Sequence, residues 1–471
     1  MNWIRSERKR RNLSQAKLAK LLNLQQYVLS QWELGKDSPS DDQREEIHRV
    51  LSALDVRVTN GDTSLFRKKR FTRAAGSKPL RKQPSAVLVW KKAETGRGRM
   101  DARPKAIALF AGCGGMSLGL ESGGLDVVGY VEVDAAARRI YELNFPATEC
   151  LGKNVRDITD AEVLGWKAKF GEITILAGGP PCQGFSLAGK RDTHDPRNEL
   201  FKYFAKIARV LNPAAVILEN VRLMTSMRDK SGNPMPDPMS VAFEEAGYSV
   251  RFKPLNAQDF GVPQFRERVF FVGIRKDLSI EPSFPRPTHG IARGGSLFMD
   301  DLKPHVTFRD ATHDLEKLES GEVSSEDPLH FAVRHPEHVI RMLREVPEGK
   351  SAHENQDPQL RPTSGYNTTY KRLKWDEPSS TIGTNFSMIS GCRNVHPEQT
   401  RSMTIREALR CQTFPDTFAF RGTFGEIRTA IGNAVPPKLA QAIGEHVLSI
   451  LGPSLSFIPP GQACRNNQLQ G

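Results

Sequence analysis

Residues 173–186 have the sequence ITILAGGPPCQGFS, and this stretch decides the fold class. It begins with a short run of β-branched and apolar residues, which is typical of a buried strand. Two glycines and two prolines end that strand, so Cys182 follows on a stiff loop at its carboxyl end, where open α/β sheets bind ligands. An isolated cysteine is most often a small core residue, but a thiol is also a soft nucleophile that is partly ionised near neutral pH. We predict that Cys182 is a nucleophile.

Similar apolar runs recur along residues 105–275 and alternate with stretches of helical spacing. This alternation predicts an α/β fold with a Rossmann-like, mostly parallel sheet. The predicted strands are residues 106–110, 126–131, 173–176, 215–218 and 269–274. The main domain is predicted to comprise residues 104–275 and, where helical patterning returns, 396–452, followed by a tail at 453–471. Residues 276–395 are irregular and rich in Pro, His, Ser and charge, and they predict a smaller, separate domain.

Residues 1–55 predict a separate all-α domain. Leucines and other apolar residues recur there at helical spacing, Ser14 is placed to cap one helix, and Gly35 is placed to end another. On these signals alone, a small helical bundle without a DNA-binding role is also possible. Residues 56–103 contain few large apolar residues and several basic runs, which predict a basic linker. A simple tether and an arm that grips phosphates are equally compatible with that composition.

The net charge of +13 lies entirely at the N-terminal end. Residues 1–100 contain 23 Lys and Arg against 10 Asp and Glu, whereas the other 371 residues contain 44 of each. Such a basic module indicates a polyanionic partner, nucleic acid before membrane. Six cysteines without a Cys-x-x-Cys pair argue against a disulfide framework and a structural zinc site, and we expect no metal. No signal peptide or membrane span is visible, so we expect a cytoplasmic protein.

A glycine-rich turn follows the first predicted strand. Residues 109–115 read LFAGCGG and open a helix, and closely spaced glycines there allow a backbone to approach a ligand. Glu132 ends the next strand, 20 residues after Gly112, where a carboxylate can accept hydrogen bonds from ribose hydroxyls. The turn lacks the full dinucleotide pattern, so a smaller adenosine ligand fits better than NAD. Taken alone, Glu132 could equally be an ordinary surface acid.

Two further elements carry candidate catalytic side chains. Glu219 ends an apolar run, where burial is expected to raise its pKa and let it donate a proton, although a salt-bridged acid is the ordinary alternative. Arg266 and Arg268 alternate in the segment QFRER and are expected on one face of an extended chain. Two guanidinium groups on one side can hold an anion or keep a thiol ionised. Alternating charge on an edge strand is the common alternative.

Taken in order, these elements resemble those of the DNA cytosine-5 methyltransferases. The resemblance covers residues 105–450 and rests on six separated motifs. They are the glycine turn at 110–115, the pair Pro181–Cys182, the triplet Glu219–Val221, QFRER at 264–268, REALRCQTFP at 406–415 and GNAVPP at 432–437. There are two small departures, since Cys411 replaces a usual leucine and Ala434 replaces a frequent serine. The first is expected to change packing, and the second to loosen contacts with the cofactor slightly.

The resemblance implies S-adenosyl-L-methionine as the cofactor. It places Phe110 near the adenine, Glu132 on the ribose hydroxyls, Asp157 on the adenine amino group and Asn433 at the methionine end. The remaining implied contacts are Gly112, Gly114 and Pro180.

The resemblance also implies a mechanism on a cytosine flipped out of double-stranded DNA. Cys182 attacks C6, Glu219 contacts N3 and the amino group, Arg266 anchors O2, and Arg268 supports Arg266. Two residues of the same loop, Gln183 and Ser186, are implied to contact the DNA. Residues 276–395 occupy the place of the family's target-recognition domain, and residues 372–382 resemble a recurrent element near its end.

Residues 4–40 resemble a helix-turn-helix of the phage-repressor type. By that resemblance Gln25 and Gln26 open a recognition helix and pair with adenine edges, while Gln15 touches a phosphate or supports them. Such fusions resemble methyltransferases of restriction–modification systems that repress their own promoter. We therefore expect double-stranded DNA as target and as operator, and a cognate restriction endonuclease as a possible partner. The alternatives are a regulator with an inactive methyltransferase body and a tRNA cytosine-5 methyltransferase.

Overall fold

The structure, a computed structural model, describes residues 3–10, separate positions between 18 and 47, and residues 103–181, 199–226, 236–290, 302–363, 368–391 and 393–455. The chain divides into two compact units, Met1–Gln83 and Pro84–Gly471. The boundary between the units falls within residues 56–103, where the sequence predicts a basic linker.

The first unit contains helix α1 (Trp3–Arg10) and a small apolar core. Arg8 of α1 forms a bidentate ion pair with the buried Glu33, with distances of 2.6 Å from Nε to Oε1 and 3.0 Å from Nη2 to Oε2. Helical spacing had indicated most of the buried core residues, which are Ile4, Leu18, Leu22, Leu29, Trp32 and Ile47. The predicted DNA-reading residues that lie outside the described residues are Gln15, Gln25 and Gln26.

The second unit is built on a seven-stranded sheet with the strand order β3-β2-β1-β4-β5-β7-β6. The strands β3, β2, β1, β4 and β5 run parallel to one another, and β7 is antiparallel to both β5 and β6. The strands are β1 (Lys105–Leu109), β2 (Asp126–Val131), β3 (Glu149–Gly152), β4 (Ile175–Gly178), β5 (Ala215–Val221), β6 (Tyr248–Asn256) and β7 (Glu267–Arg275). The predicted α/β fold with a mostly parallel sheet is confirmed.

The two edge strands were not predicted from the sequence. β3 has only four residues, all exposed or half-buried, so it shows no apolar run. β6 carries four consecutive exposed residues in its middle, which remove the alternation expected of a half-buried strand. Charge and proline are common on edge strands because they discourage pairing with other chains. Edge strands such as β3 and β6 therefore lack the apolar pattern from which a strand is predicted.

Helices cover both faces of the sheet. Alternate residues of β1 enter opposite cores, with Ala106 and Ala108 on one side and Ile107 and Leu109 on the other. The helices of the sheet region are α2 (Gly115–Ser122), α3 (Ala135–Asn144), α4 (Asp160–Phe170), α5 (Leu200–Leu211) and α6 (Pro236–Glu245). Those that follow are α7 (Phe308–Thr312), α8 (Glu337–Arg344), α9 (Ile405–Cys411), α10 (Phe424–Asn433) and α11 (Pro437–Leu455). Within the described residues, no helix is both long and apolar enough to cross a membrane.

A buried arginine organises much of the irregular region between β7 and α9. The guanidinium of Arg372 donates to the backbone carbonyls of Leu343, Val346, His396 and Gln399 at 2.7–2.9 Å. Short helices and isolated bridges surround it, in place of a regular sheet. Backbone carbonyls buried without regular secondary structure need donors, and a five-donor guanidinium supplies several at once.

Candidate active site at the carboxyl edge of the sheet

Most of the predicted site residues follow the carboxyl ends of parallel strands. Phe110 follows β1, Glu132 follows β2, Pro180 lies two residues after β4, and Glu219 lies two residues before the end of β5. Because β1, β2, β4 and β5 are parallel, these ends meet along one edge of the sheet. This edge is where ligands bind in open α/β folds.

The glycine turn after β1 has a backbone geometry that allows a ligand to approach the main chain closely. Phe110 adopts a φ of 52°, which ends β1 one residue earlier than predicted. Gly112 and Gly114 also have positive φ angles, of 58° and 101°. A side-chain carbon at Gly114 would lie 2.3 Å from the ring of Phe145, whereas one at Gly112 would meet nothing within 4 Å. The turn is therefore tightly packed behind Gly114 and open in front of Gly112.

Glu132 is held by the turn that it faces. Its Oε2 accepts a hydrogen bond from the backbone N–H of Gly112 at 2.7 Å, and Oε1 accepts one from Asp134 at 2.7 Å. Burial raises the pKa of this carboxyl, and the two backbone donors oppose the shift. Arg138 donates to the backbone carbonyls of Glu132 and Val133, which fixes the strand end.

Val133 is an exposed apolar residue that no sequence motif identified above contains. Its side chain is 67% exposed although it directly follows the buried Glu132. A large apolar side chain left in solvent beside a carboxylate at the ligand-binding edge of an α/β sheet offers a surface for an aromatic ring. The signal in the sequence was its position at a strand end.

Two predicted cofactor contacts are exposed. Asp157 ends the short 3₁₀ turn Val155–Asp157, which Asn154 caps by accepting from the N–H of Arg156 at 3.2 Å. Asn433 is the last residue of α10, and its neighbours Gly432 and Ala434 are buried. Both side chains are therefore available to a ligand.

Glu219 and Arg268 form an ion pair at the end of β5. Nε of Arg268 lies 3.0 Å from Oε1 of Glu219, and the side chains are 14% and 12% exposed. Burial raises the pKa of Glu219, while the positive charges of Arg268 and Arg266 oppose that shift without cancelling it. This is the direction that the sequence predicted for Glu219.

The backbone that leads to Cys182 lies directly against this pair. A side-chain carbon at Gly179 would lie 2.8 Å from Oε2 of Glu219, so a larger residue there would displace that carboxylate. Asn220 donates from Nδ2 to the carbonyl oxygen of Pro180 at 3.3 Å, which ties the loop to β5. The described chain reaches Pro181. The loop residues outside the described residues include Cys182, Gln183 and Ser186.

Arg266 lies elsewhere than expected for a contact to the base. Its side chain is 1% exposed, and it donates to the carbonyl oxygens of Ile382 at 2.8 Å, Gly432 at 3.0 Å and Ala434 at 2.9 Å. The physical reason is that the last carbonyls of a helix such as α10 have no partner within the helix. Period-two alternation predicts that Arg266 and Arg268 share a face, but it could not reveal these acceptors.

Buried amides complete the support behind Arg266. Gln264 donates from Nε2 to Oε1 of Gln412 at 3.0 Å and accepts from the N–H of Ile382 at 2.9 Å. Gln412 in turn donates to the carbonyl oxygen of Ile431 at 2.8 Å. Cys411, the departure expected to alter packing, is fully buried in the main core.

Residues 105–449 match the family described as C-5 cytosine-specific DNA methylase. The chain belongs to this family. It is a DNA cytosine-5 methyltransferase, and its residues 4–52 match the helix-turn-helix family.

Curated relatives of this methyltransferase match across the same region. It is 36% identical over 348 residues to the Type II methyltransferase M1.HphI of Haemophilus parahaemolyticus, covering 73% of this chain and 86% of that protein. It is 30% identical to the Type II methyltransferase M.DdeI of Desulfomicrobium norvegicum, covering 72% and 88%. A crystal structure of a prophage-encoded DNA modification methyltransferase from Escherichia coli has the same fold, with a TM-score of 0.57 at 24% identity over 74% of this chain and 99% of that one.

Proposed function

We propose that this methyltransferase moves a methyl group from S-adenosyl-L-methionine to C5 of a cytosine in a specific double-stranded DNA sequence, through a covalent bond between Cys182 and C6. The observation that carries the proposal is the buried pair Glu219–Arg268, packed against the backbone that leads to Cys182. A target cytosine must leave the duplex to reach such an enclosed edge of the sheet.

The residues around the glycine turn fit S-adenosyl-L-methionine. The space in front of Gly112 is open, and the turn is braced behind by Gly114. The carboxylate of Glu132 can take ribose hydroxyls while it holds the turn, and the exposed Val133 offers an apolar face beside it.

The remaining cofactor contacts follow the sequence prediction. Phe110 and Asp157 would hold the adenine, Pro180 would contact the cofactor beside the catalytic loop, and Asn433 would close the methionine end. When bound, the sulfonium supplies an activated methyl group, so the protein needs to orient it and exclude water.

The chain's own residues then carry the chemistry at the base. The thiolate of Cys182 forms a bond to C6, which makes C5 nucleophilic, and C5 takes the methyl group. The C5 proton then passes to water, the electrons of the C5–H bond re-form the C5–C6 double bond, and the C6–S bond breaks, which releases the product and regenerates the thiolate. Glu219, whose pKa burial raises, is the proposed proton donor toward N3, and so it stabilises the charge that develops on the ring.

Arg268 is the arginine that we assign to the base. It pairs with Glu219 and gives one Nη1 donor to the carbonyl oxygen of Glu267, whereas Nη2 of Arg266 and one donor of its Nη1 are used on backbone carbonyls away from Glu219. This reverses the order of the two arginines given by the sequence resemblance. Gln183 and Ser186 remain proposed DNA contacts on the loop of Cys182.

The N-terminal unit is proposed to read an operator and repress the enzyme's own operon. The helix-turn-helix match, the charge of +13 within residues 1–100 and the Type II names of the relatives support this proposal. Gln25 and Gln26 would read adenine edges and Gln15 would support them. The methylation itself would protect DNA from a cognate restriction endonuclease.

Transfer of a labelled methyl group to mixed-sequence duplex DNA tests the central proposal. The wild-type protein should label DNA with 5-methylcytosine as product, and Cys182→Ala should lower the rate by about 10³-fold or more, because the covalent route is removed. Cys411→Ala is a matched control, since that thiol is buried in the core. Transfer to tRNA but not to DNA, or full activity of Cys182→Ala, would contradict the proposal.

A further inference from the structure

We propose that Arg266 is a positioning residue that fixes the backbone on both sides of Asn433 and joins the cofactor end of the site to the pair Glu219–Arg268. This inference rests on the proposed function, because it takes Asn433 as a cofactor contact. It assigns to Arg266 a task different from contact with the base.

The strongest observation is the way in which one nitrogen brackets Asn433. Nη2 of Arg266 donates to the carbonyl oxygens of Gly432 and Ala434, the residues immediately before and after Asn433. These two hydrogen bonds set the orientation of the backbone on either side of that residue. The side chain of Asn433 remains exposed, so it is free for a ligand while its backbone is fixed.

A helix end needs such a donor at this point. α10 ends at Asn433, and its last carbonyls have no partner within the helix. A positive charge at a helix C-terminus is also favourable, because the carbonyl dipoles point toward it. Arg266 together with Gln412, which takes the carbonyl of Ile431, therefore caps α10 from the interior.

The backbone of Arg266 connects it to the pair Glu219–Arg268, where the target base is proposed to bind. The backbone N–H of Arg266 donates to Oδ1 of Asn256 at 3.1 Å, which anchors the start of β7 to the end of β6. Two residues further along the chain, Arg268 pairs with Glu219. A shift at Arg266 is thus transmitted to Asn433 through its side chain and to Arg268 through the strand.

A third contact ties another chain segment to the same guanidinium group. Nη1 of Arg266 donates to the carbonyl oxygen of Ile382, and a side-chain carbon at Gly432 would lie 2.4 Å from the backbone of Gly383 and Thr384. Residues 382–384, within the region 276–395, are therefore packed directly onto the end of α10. Three chain segments meet at one guanidinium, and this geometry distinguishes a positioning role from simple burial.

Binding of S-adenosylhomocysteine to full-length protein, measured by calorimetric titration, tests the proposal. Arg266→Lys keeps the charge, but a single nitrogen cannot occupy both the Nη1 and the Nη2 position. We expect its affinity for S-adenosylhomocysteine to fall by about tenfold or more, which is the size of an ordinary coupling between sites. The matched control is Arg372→Lys, because Arg372 is also a buried arginine held by backbone carbonyls.

The control separates positioning from loss of stability. Both variants should lower the melting temperature, but Arg372→Lys should keep the affinity within about twofold of wild type, as expected for an independent site. Equal loss of affinity in both variants, or unchanged affinity in Arg266→Lys, overturns the proposal. Failure of the wild-type protein to bind S-adenosylhomocysteine would overturn the proposed function as well, so the two failures are distinguishable.

A milder variant serves if Arg266→Lys does not fold. Asn256→Ala removes the acceptor for the backbone N–H of Arg266 and leaves the guanidinium in place. We expect the affinity to fall by about threefold, in proportion to one lost neutral hydrogen bond. No change of affinity in this variant, at a lowered melting temperature, would also overturn the proposal.

Discussion

Two buried carboxylate–arginine pairs in this enzyme have opposite electrostatic properties. Glu407 pairs with Arg401, and burial alone would raise its pKa, but Arg401 and the N–H of Thr404 lower it to about 2. Glu219 pairs with Arg268, and its pKa stays raised by burial. Both carboxyls are removed from water, so the number of donors around each one decides the direction.

The contacts show why the two pairs differ. Arg401 donates from Nη2 to Oε1 of Glu407 at 2.7 Å and from Nη1 to Oε2 at 2.9 Å, and the N–H of Thr404 adds a bond of 2.8 Å in a capping box. Among the described residues, the ion pair of Glu219 is the single one to Arg268 at 3.0 Å. A fully paired carboxylate stabilises a fold, whereas a partly paired one retains bonding capacity for a substrate.

The largest expected effect is on catalysis in Glu219→Gln. This variant keeps the size of the side chain but cannot give up a proton to the ring, so kcat should fall by about 10²–10⁴-fold. Methyl-transfer kinetics would measure this, with S-adenosylhomocysteine binding and the melting temperature as controls. The same substitution at Glu407 should leave kcat per folded molecule close to wild type. If both variants lost the same activity, the distinction between the two pairs would be broken.

Acid titration sharpens the comparison at the other pair. The pKa of Glu407 is depressed in the folded state, so its contribution to stability is present above its ordinary value of 4.5 and is lost as the pH falls toward about 2. That contribution amounts to about 3 kcal/mol at neutral pH. The difference in free energy of unfolding between wild type and Glu407→Gln, measured by urea denaturation, should therefore shrink between pH 5 and 2.

The comparison of wild type with Glu407→Gln at each pH is needed because other paired carboxyls titrate in the same pH range. Arginines also lower the pKa values of Asp314 and Asp416, and these residues are unchanged in the variant. Their contributions cancel in the comparison with wild type. A difference that stays constant with pH would show that Glu407 is not held in its charged form.

The sequence predicted the positions of the site residues along the chain better than the hydrogen bonds that hold them. Strand-end positions located Glu132 and Glu219, because a run of apolar residues followed by a carboxylate is a local pattern. The acceptors of Arg266 lie 116–168 residues away along the chain, and no local pattern reports them. The alternation of side chains along a strand could indicate the face on which Arg266 lies. It could not indicate whether that side chain contacts a helix end or a ligand.

The missed strands have a related cause. β6 is an edge strand whose middle carries exposed Arg251 and Lys253, so its sequence resembles a loop. It nevertheless supplies Asn256, which anchors Arg266. Features that depend on non-local pairing were therefore missed even where they support the site.

The smallest expected effect concerns a third pair, in the first unit. Arg8 and Glu33 form a bidentate contact like that of Arg401 and Glu407, but the Arg8 side chain is 11% exposed whereas that of Arg401 is fully buried. Arg8→Lys keeps the charge and loses the fork, so the first unit should lose about 1–2 kcal/mol of stability. Thermal unfolding followed by Trp3 and Trp32 fluorescence would detect this, and methyl transfer measured below the transition should not change. A parallel loss of methyl transfer would show that the pair Arg8–Glu33 also supports catalysis. The distinction between pairs that stabilise the fold and a pair that acts in catalysis would then not hold for the first unit.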